Sequence, residues 1–340
     1  MIAVAKRALF AMQRQCRSEE ITAYPIMCRM FDTLVAPILL YGCEVWGSDA
    51  VLVEEANKVH MGFLKYMLRA PTSTDGWIVL TEMGRTPMAH RILERQCAFW
   101  NRLGQVSGAR LLTYAARENF AWLCAGRKGG WFSSTMKLLN EAGLDLSVQS
   151  IWSSGMIAPY EELKNMLKGA GSAALRTSMS DGILDHRDLY GSSLFSRAGG
   201  NRRRSYATWF WQQAGSQITS ISNTPLRHSL QLFRLGVHKL NIIMGARGSG
   251  GSTPREHRFC KCCSMGVVED EVHLIFECPK YQIIRMGFSD LFRSFVIGEH
   301  GTIALIDTDD MMRNFFAQEH QMDVAKFIRC CMLEREAFCG

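Results

Sequence analysis

Residues 258–285 read RFCKCCSMGVVEDEVHLIFECPKYQIIR, and this stretch decides how the C-terminal part of the chain is organised. Three cysteines lie within four residues, a histidine follows ten residues after the last of them, and a fourth cysteine comes five residues later. Two cysteines separated by two residues can bind one ion from a tight turn, and a histidine and cysteine five positions apart can complete a tetrahedron around it. The best-spaced ligand set, C-x2-C-x9-H-x4-C, is Cys260, Cys263, His273 and Cys278.

This ligand set predicts a structural Zn²⁺ site. Three thiolates and one imidazole suit the tetrahedral preference of zinc, and four protein ligands leave no open position for a reacting water. The alternative is that the same cysteines are buried thiols or a redox pair. The complete four-ligand spacing is more specific than a lone C-x-x-C, and it favours the metal site.

Several neighbours of the motif leave alternatives open. Cys262 could replace Cys263, but a pair separated by one residue is tight for joint chelation, so Cys263 is preferred. His257 is a weaker candidate ligand and is expected to be a surface residue. The acidic residues 269–271 are expected to form a solvated loop and a helix start rather than to add ligands.

The composition indicates a globular, intracellular protein. Of 340 residues, 47% are hydrophobic and 21% charged, a balance that provides a sizeable core. The net charge of +7 fits a nucleic acid or an anionic surface as partner without requiring one. The twelve cysteines are too sparse for a disulfide scaffold, and most stand alone in apolar stretches. Those expected to be buried free thiols are Cys16, Cys28, Cys43, Cys97 and Cys124.

No secretory or membrane segment is expected. Charged residues interrupt every apolar run among residues 1–20, and no apolar stretch approaches the ~18 residues that a membrane span needs. The protein is therefore expected in the nucleus or cytoplasm, not secreted and without a membrane partner.

Hydrophobic periodicity predicts a mainly α fold with at most a small β-turn element at the cysteines. A helix over residues 4–17 would place Val4, Leu9, Phe10 and Met12 largely opposite its basic side chains. Further along the chain, Pro37 is expected to bend or restart an apolar helix. Three regions are predicted: 1–105, 106–200 and 201–340, the last with a cysteine–histidine module at about 257–285. The polar, basic stretch SSLFSRAGGNRRRS marks the best boundary.

Basic residues gather in two places that suit phosphate contacts. Arg202, Arg203 and Arg204 precede the aromatic WFW at 209–211, where bases could stack; the alternative is a solvated loop before a helix with core aromatics. Between residues 225 and 260 the sequence contains six basic residues and one acidic residue, which gives a local charge of +5. The predicted phosphate contacts in that segment are Arg234, Lys239, Arg247, Arg255 and Arg258.

The same residues carry a family resemblance. The runs FRLGVHKLNIIMGARG, PREHRFCKCC and VEDEVHLIFECPKYQIIR resemble the segment after the polymerase domain in LINE-type (non-LTR) retrotransposon reverse transcriptases, where a basic run leads into a zinc knuckle. Earlier runs resemble the helices just beyond the palm of those enzymes, namely KRALFAMQRQCR, MFDTLVAPILLYGCEVWG, VHMGFLKYMLRAPTST and LTEMGRTPMAHRI. The likeness covers about residues 4–105 and 224–290, and it implies a thumb-like helical region at 1–105 and a helical linker region at 106–200.

The family's catalytic motifs are not in this sequence. Templated synthesis needs paired carboxylates, written F/Y-A-D-D in these enzymes, and no such box occurs here. The acidic LIDTDDMM, with Asp307, Asp309 and Asp310, is expected to be a helix N-cap with an acidic first turn. No endonuclease constellation is found before or after the knuckle.

The resemblance therefore implies a non-catalytic C-terminal part of such an enzyme. It would bind RNA or DNA through backbone contacts, with zinc as a structural cofactor. One alternative is a purely structural relic without nucleic-acid affinity. Another is part of an RNA-directed DNA polymerase whose missing palm region is supplied by another chain, which would then be a further partner.

Overall fold

A computed structural model describes residues 1–105, 111–127, 129–142, 144, 161–162, 164–166, 169, 206, 208–210, 221–245, 253–293, 307–317 and 319–339. Within these ranges the chain is mainly helical and has no strand, which confirms the predicted fold class. The one isolated antiparallel β-bridge in the described part joins Phe259 to Val268. None of the described helices is long and apolar enough to cross a membrane.

The chain divides into two compact units. The first comprises Met1–Leu64, Asp75–Leu80 and Arg85–Gly200, and the second comprises Lys65–Thr74, Thr81–Gly84 and Asn201–Gly340. The predicted division into three regions stays a prediction.

The first nine helices of the chain are α1 Ile2–Ser18, α2 Tyr24–Met30, α3 Ala36–Leu39, α4 Cys43–Trp46, α5 Ala50–Leu68, α6 Gly76–Glu82, α7 Met88–Gln105, α8 Leu111–Cys124 and α9 Trp131–Glu141. A π-helical turn, Phe31–Val35, joins α2 to α3. Pro37 lies at the start of α3. Because proline has no backbone N–H to continue the hydrogen-bond ladder, the helix changes register there, as predicted.

Helix α1 buries a stripe that differs in part from the predicted one. Its buried residues are Ala5, Leu9, Met12 and Cys16, spaced by three or four positions. The prediction was wrong for Val4 and Phe10, which are 44% and 61% exposed. A helical stripe through positions 5, 9, 12 and 16 leaves positions 4 and 10 on other sides of the helix, where they are exposed to solvent.

Aromatic rings build much of the first unit's core. Phe31 stacks on Phe63 with ring centroids 4.4 Å apart, and Trp100 meets Phe132 edge to face at 4.3 Å. Cys43 and Cys97 are fully buried, as predicted, and burial raises the pKa of each thiol to about 12. Such pairs and thiols indicate packing rather than chemistry.

The prediction of five buried cysteines was wrong for two of them, one in α2 and one in α8. Cys16 is buried as expected, Cys28 is half-buried, and Cys124 is exposed. Cys124 is the last residue of α8, where the final turn faces solvent.

Six further helices with described bounds lie in the second unit. They are α10 Thr224–Arg234, α11 Asn241–Met244, α12 Gln282–Gly287, α13 Ser289–Phe292, α14 Thr308–Phe316 and α15 Gln321–Cys339. Helix α15 packs on α10 and contacts α12 and α14. The side chain of Asp307 accepts a hydrogen bond from the backbone N–H of Asp309 at the start of α14, which confirms the N-cap interpretation of the acidic LIDTDDMM stretch.

Candidate metal centre

A tight turn presents the first two candidate ligands. The backbone N–H of Cys260 donates to the carbonyl of Val267 at 2.8 Å and so closes the loop next to the Phe259–Val268 bridge. Gly266 supports this loop with a φ of +66°, a conformation that favours glycine. The N–H of Cys262 donates to the sulfur of Cys260 at 3.4 Å. The turn therefore holds that sulfur in place by local hydrogen bonds.

A short π-helical turn, His273–Glu277, presents the other two ligands. The side chain of Asp270 accepts from the backbone N–H of His273 at 3.0 Å, where this turn begins. Cys278 follows directly, and its N–H donates to the carbonyl of His273 at 2.7 Å. His273 thus lies at the start of one helical turn and Cys278 at the residue that ends it, as the spacing predicts.

These two pieces bring four ligand atoms together. The candidate atoms of Cys260, Cys263, His273 and Cys278 all lie within 4.8 Å of one another. The sulfurs of Cys260 and Cys278 are 4.0 Å apart, and the sulfur of Cys263 is 3.4 Å from Nε2 of His273. A tetrahedral zinc ion would require about 3.8 Å and about 3.6 Å for such pairs. The four side chains can therefore hold a metal ion.

The imidazole of His273 is oriented for this role. Its Nδ1 lies 3.2 Å from the carboxylate of Glu277, while Nε2 faces the sulfur of Cys263. A carboxylate on the far nitrogen fixes the tautomer and raises the basicity of the ligating nitrogen. The imidazole itself is 2% exposed, so few other contacts compete for it.

Burial sets the protonation of the thiols. It raises the pKa of both Cys260 and Cys278, and the neighbouring thiol of Cys263 adds to this effect. A cation would have to displace protons from these sulfurs, since only the thiolate binds metal. Metal affinity at this site therefore depends on pH.

Cys262 has different neighbours from Cys263. It is buried, and the phenol of Tyr281 donates to its sulfur at 3.5 Å. Its sulfur lies within 4.8 Å of Cys260 and the carboxylate of Glu269, which makes a second grouping of three. His257 is exposed and belongs to neither grouping.

The prediction that residues 269–271 are solvated was wrong for Glu269. Glu269 is 1% exposed rather than solvated, and its carboxylate accepts from Arg335 at 2.7 and 2.8 Å. Glu271 lies 2.9 Å from Nε2 of the buried His238. Sequence reasoning missed Arg335 because it comes 66 residues later, in a helix that carries no local signal of this contact.

The prediction that Arg234 contacts a phosphate is also corrected, because the side chain is buried and paired within the protein. Its guanidinium is fully buried, donates to Glu82 at 2.8 and 3.1 Å, and lies 4.8 Å from the centre of the Phe210 ring. The phenol of Tyr206 donates to the same carboxylate. Buried charges persist when they are paired in this way.

The other predicted phosphate contacts differ in exposure. Lys239 and Arg255 are exposed; Lys239 lies 2.8 Å from Glu336, and Arg255 lies 3.9 Å from Asp270. Arg258 is half-buried and donates to two backbone carbonyls, each at 2.8 Å. Those lying outside the described residues are Arg202, Arg203, Arg204 and Arg247.

The aromatics beside the first basic cluster have structural contacts. Phe210 is 3% exposed and meets Phe316 edge to face, with centroids 4.7 Å apart. Trp209 donates its indole N–H to Asp309 at 2.6 Å. Trp211 lies outside the described residues. Phe210 is therefore a core ring, and Trp209 is half-buried with a hydrogen-bond partner inside the protein.

No protein-family model, curated protein or solved structure matches this chain. Its function is inferred from its own residues.

Proposed function

We propose that this chain is a non-catalytic C-terminal part of a LINE-type reverse transcriptase, which binds RNA or DNA through phosphate contacts. The observation that carries the proposal is the convergence of Cys260, Cys263, His273 and Cys278, whose ligand atoms lie within 4.8 Å of one another. These four residues are the centre of the motif on which the family resemblance rests. Their order along the chain is that of the family's zinc knuckle.

Zinc is the proposed ion because three sulfurs and one imidazole nitrogen form its preferred donor set. When bound, it would contribute free energy to folding by tying the Cys260–Cys263 turn to the His273 turn. The four residues complete a tetrahedron by themselves, so the ion would have a structural role. No chemical step is assigned to it.

The exposed face of α1 supports binding of a polyanion. This helix contains no acidic residue, and its four basic side chains, Lys6, Arg7, Arg14 and Arg17, are all exposed. The buried stripe of the same helix packs inside the protein, and only two large apolar residues of the helix are exposed, Val4 and Phe10, which is too few for the apolar face of an amphipathic membrane helix. The exposed cations match the charge of a nucleic-acid backbone.

A second, smaller set of exposed cations lies in and near residues 260–278, the segment that carries the candidate ligands and is called the metal loop below. Arg255 and Lys261 are exposed on either side of Cys260, and Lys239 is exposed near Glu336. Such side chains can contact phosphates without reading sequence. The proposal therefore expects low sequence specificity and a strong dependence of affinity on salt.

A purely structural module is the second candidate function. It is favoured by the burial of Arg227 and Arg234, which are 4% and 2% exposed, and by the backbone bonds of Arg258. These three supply half of the six basic residues on which the local charge of the 225–260 segment depends. If they hold the fold together, the phosphate-binding capacity of that segment is small.

Fluorescence anisotropy with labelled nucleic acid separates the two candidates. Zinc-loaded full-length protein would be titrated onto single-stranded RNA, RNA–DNA duplex and DNA duplex at several salt concentrations. Each phosphate contact on duplex DNA adds about 0.9 to the slope of log affinity against log salt. A slope of about 3 or more supports the proposal, and no measurable binding at low salt refutes it.

Charge-removing variants locate the surface. Arg7→Gln combined with Arg14→Gln should reduce both the affinity and the salt slope. The matched control, Lys137→Gln combined with Lys326→Gln, removes the same charge from exposed ion pairs on α9 and α15. Equal losses in both pairs would indicate a non-specific effect of net charge. Primer extension by the chain alone, with metal and nucleotides, would instead contradict the non-catalytic assignment.

A further inference from the structure

A buried ion pair joins the metal loop to the C-terminal helix. Arg335 of α15 donates through Nε and a terminal nitrogen to the two oxygens of Glu269, at 2.7 and 2.8 Å. The two side chains are 9% and 2% exposed. A bidentate contact of this kind fixes both position and direction, and removing one partner leaves a charge in a site with little water.

Glu269 is also bonded within the loop that carries the candidate ligands. Its N–H donates to the carbonyl of Arg258 at 2.9 Å, and its carbonyl accepts from Ile242 at 3.0 Å. Its carboxylate additionally accepts from the N–H of Asn241 at 2.7 Å. The residue therefore connects Arg258, which lies two residues before Cys260, with helix α11 and the C-terminal helix.

A second contact reaches the other half of the site. Lys280, two residues after Cys278, lies 2.9 Å from Glu334 of α15 and 4.4 Å from the centre of the Phe338 ring. The last turns of α15 thus contact the chain on both sides of the candidate metal position. One contact precedes the histidine turn, and the other follows it.

We propose that the last turns of α15 are an integral part of the metal centre, with Arg335 as a positioning residue that acts through Glu269. The ion pair holds the Cys260–Cys263 turn at ligand distance from the His273 turn, so metal affinity depends on the docking of α15. By linkage, bound metal strengthens that docking to the same extent. This inference rests on the proposed metal site. It adds that Arg335, 66 residues after Glu269, controls the metal affinity of that site.

Zinc affinity of the full-length chain tests the proposal, measured by competition with a chromophoric chelator. Arg335→Met and Glu269→Gln should each weaken zinc binding at least tenfold. The double variant should lose less than the product of the two single losses, because it leaves no unpaired buried charge. The control Lys326→Gln, in an exposed pair on the same helix, should leave the affinity unchanged.

A second measurement does not need a variant to fold. Hydrogen exchange of the wild-type protein, with and without zinc, should show added protection in residues 321–339 as well as in the ligand loops. Unchanged exchange in 321–339, or unchanged zinc affinity in folded Arg335→Met, overturns the coupling while leaving the metal site intact. Wild-type protein that binds no zinc at all refutes the metal site itself.

Discussion

His273 and Glu277 lie one helical turn apart, with Nδ1 of the imidazole 3.2 Å from the carboxylate and Nε2 facing the sulfur of Cys263. The short π-helical turn that contains both residues is followed directly by Cys278, so one short stretch carries two candidate ligands and the group that orients one of them. The sequence HLIFEC therefore encodes half of the candidate metal centre by itself. The other half comes from the Cys260–Cys263 turn.

Metal content should depend on Cys263 and not on Cys262. We expect one zinc per wild-type chain by native mass spectrometry. Cys263→Ala should lose it, because its sulfur belongs to the group of four. Cys262→Ala should keep it, since that sulfur interacts instead with the phenol of Tyr281. Loss of zinc in both variants would mean that Cys262 contributes to the site, and retention in Cys263→Ala would exclude Cys263 as a ligand.

Glu277 should tune metal affinity without being a ligand. Replacing it with glutamine weakens the contact that orients His273, so zinc affinity should fall by roughly tenfold, within the usual range for such partners. Competition with a chromophoric chelator measures this change. Glu141→Gln, the same carboxamide substitution in an ion pair on α9, serves as the control. Equal affinities for Glu277→Gln and wild type would show that the imidazole is held by other contacts.

The buried pair of Arg234 and Glu82 should be essential to the second unit. Arg234→Met leaves the carboxylate of Glu82 buried without its cation, and we expect a loss of about 3–5 kcal/mol in unfolding free energy. Urea denaturation followed by circular dichroism measures it. Arg14→Met, on the exposed side of α1, should change stability by no more than about 0.5 kcal/mol. Similar small effects from both variants would show that the pair contributes little.

Acid should destabilise the first unit through His60. Burial lowers the pKa of this fully enclosed imidazole from 6.5 to about 3. Below about pH 6.5 the unfolded chain therefore binds a proton that the folded chain excludes until about pH 3. The unfolding free energy should fall as the pH decreases through this window, by up to about 1.4 kcal/mol per pH unit.

A variant isolates this contribution. In His60→Phe the group that takes up the proton is gone, while a ring remains to stack on Phe31, whose centroid lies 5.3 Å from the imidazole. Its stability should decrease less between pH 6.5 and pH 4 than that of the wild type. His320→Phe, at an exposed position in the second unit, is the control. Parallel pH curves for wild type and His60→Phe would contradict the prediction.

Much of the local structure follows from patterns within a few residues. Proline at position 37 breaks a helix because it has no N–H, and Asp307 caps α14 because its side chain reaches a free backbone donor. The ligand spacing works in the same way, since C-x-x-C fits one turn and H-x4-C fits a helical turn and its end. The sequence alone therefore determined the mainly helical class and the grouping of the four candidate ligands.

Only the tertiary structure decided which charged residues are buried. Arg234 belongs to the basic segment by sequence, yet its partner Glu82 lies 152 residues earlier. Glu269 belongs to an acidic loop by sequence, yet its partner Arg335 comes from the last helix. Pairing a charge across such distances depends on the path of the whole chain, and local periodicity carries no information about it. Burial in turn makes these ions structural, because a desolvated charge is stable only beside its partner.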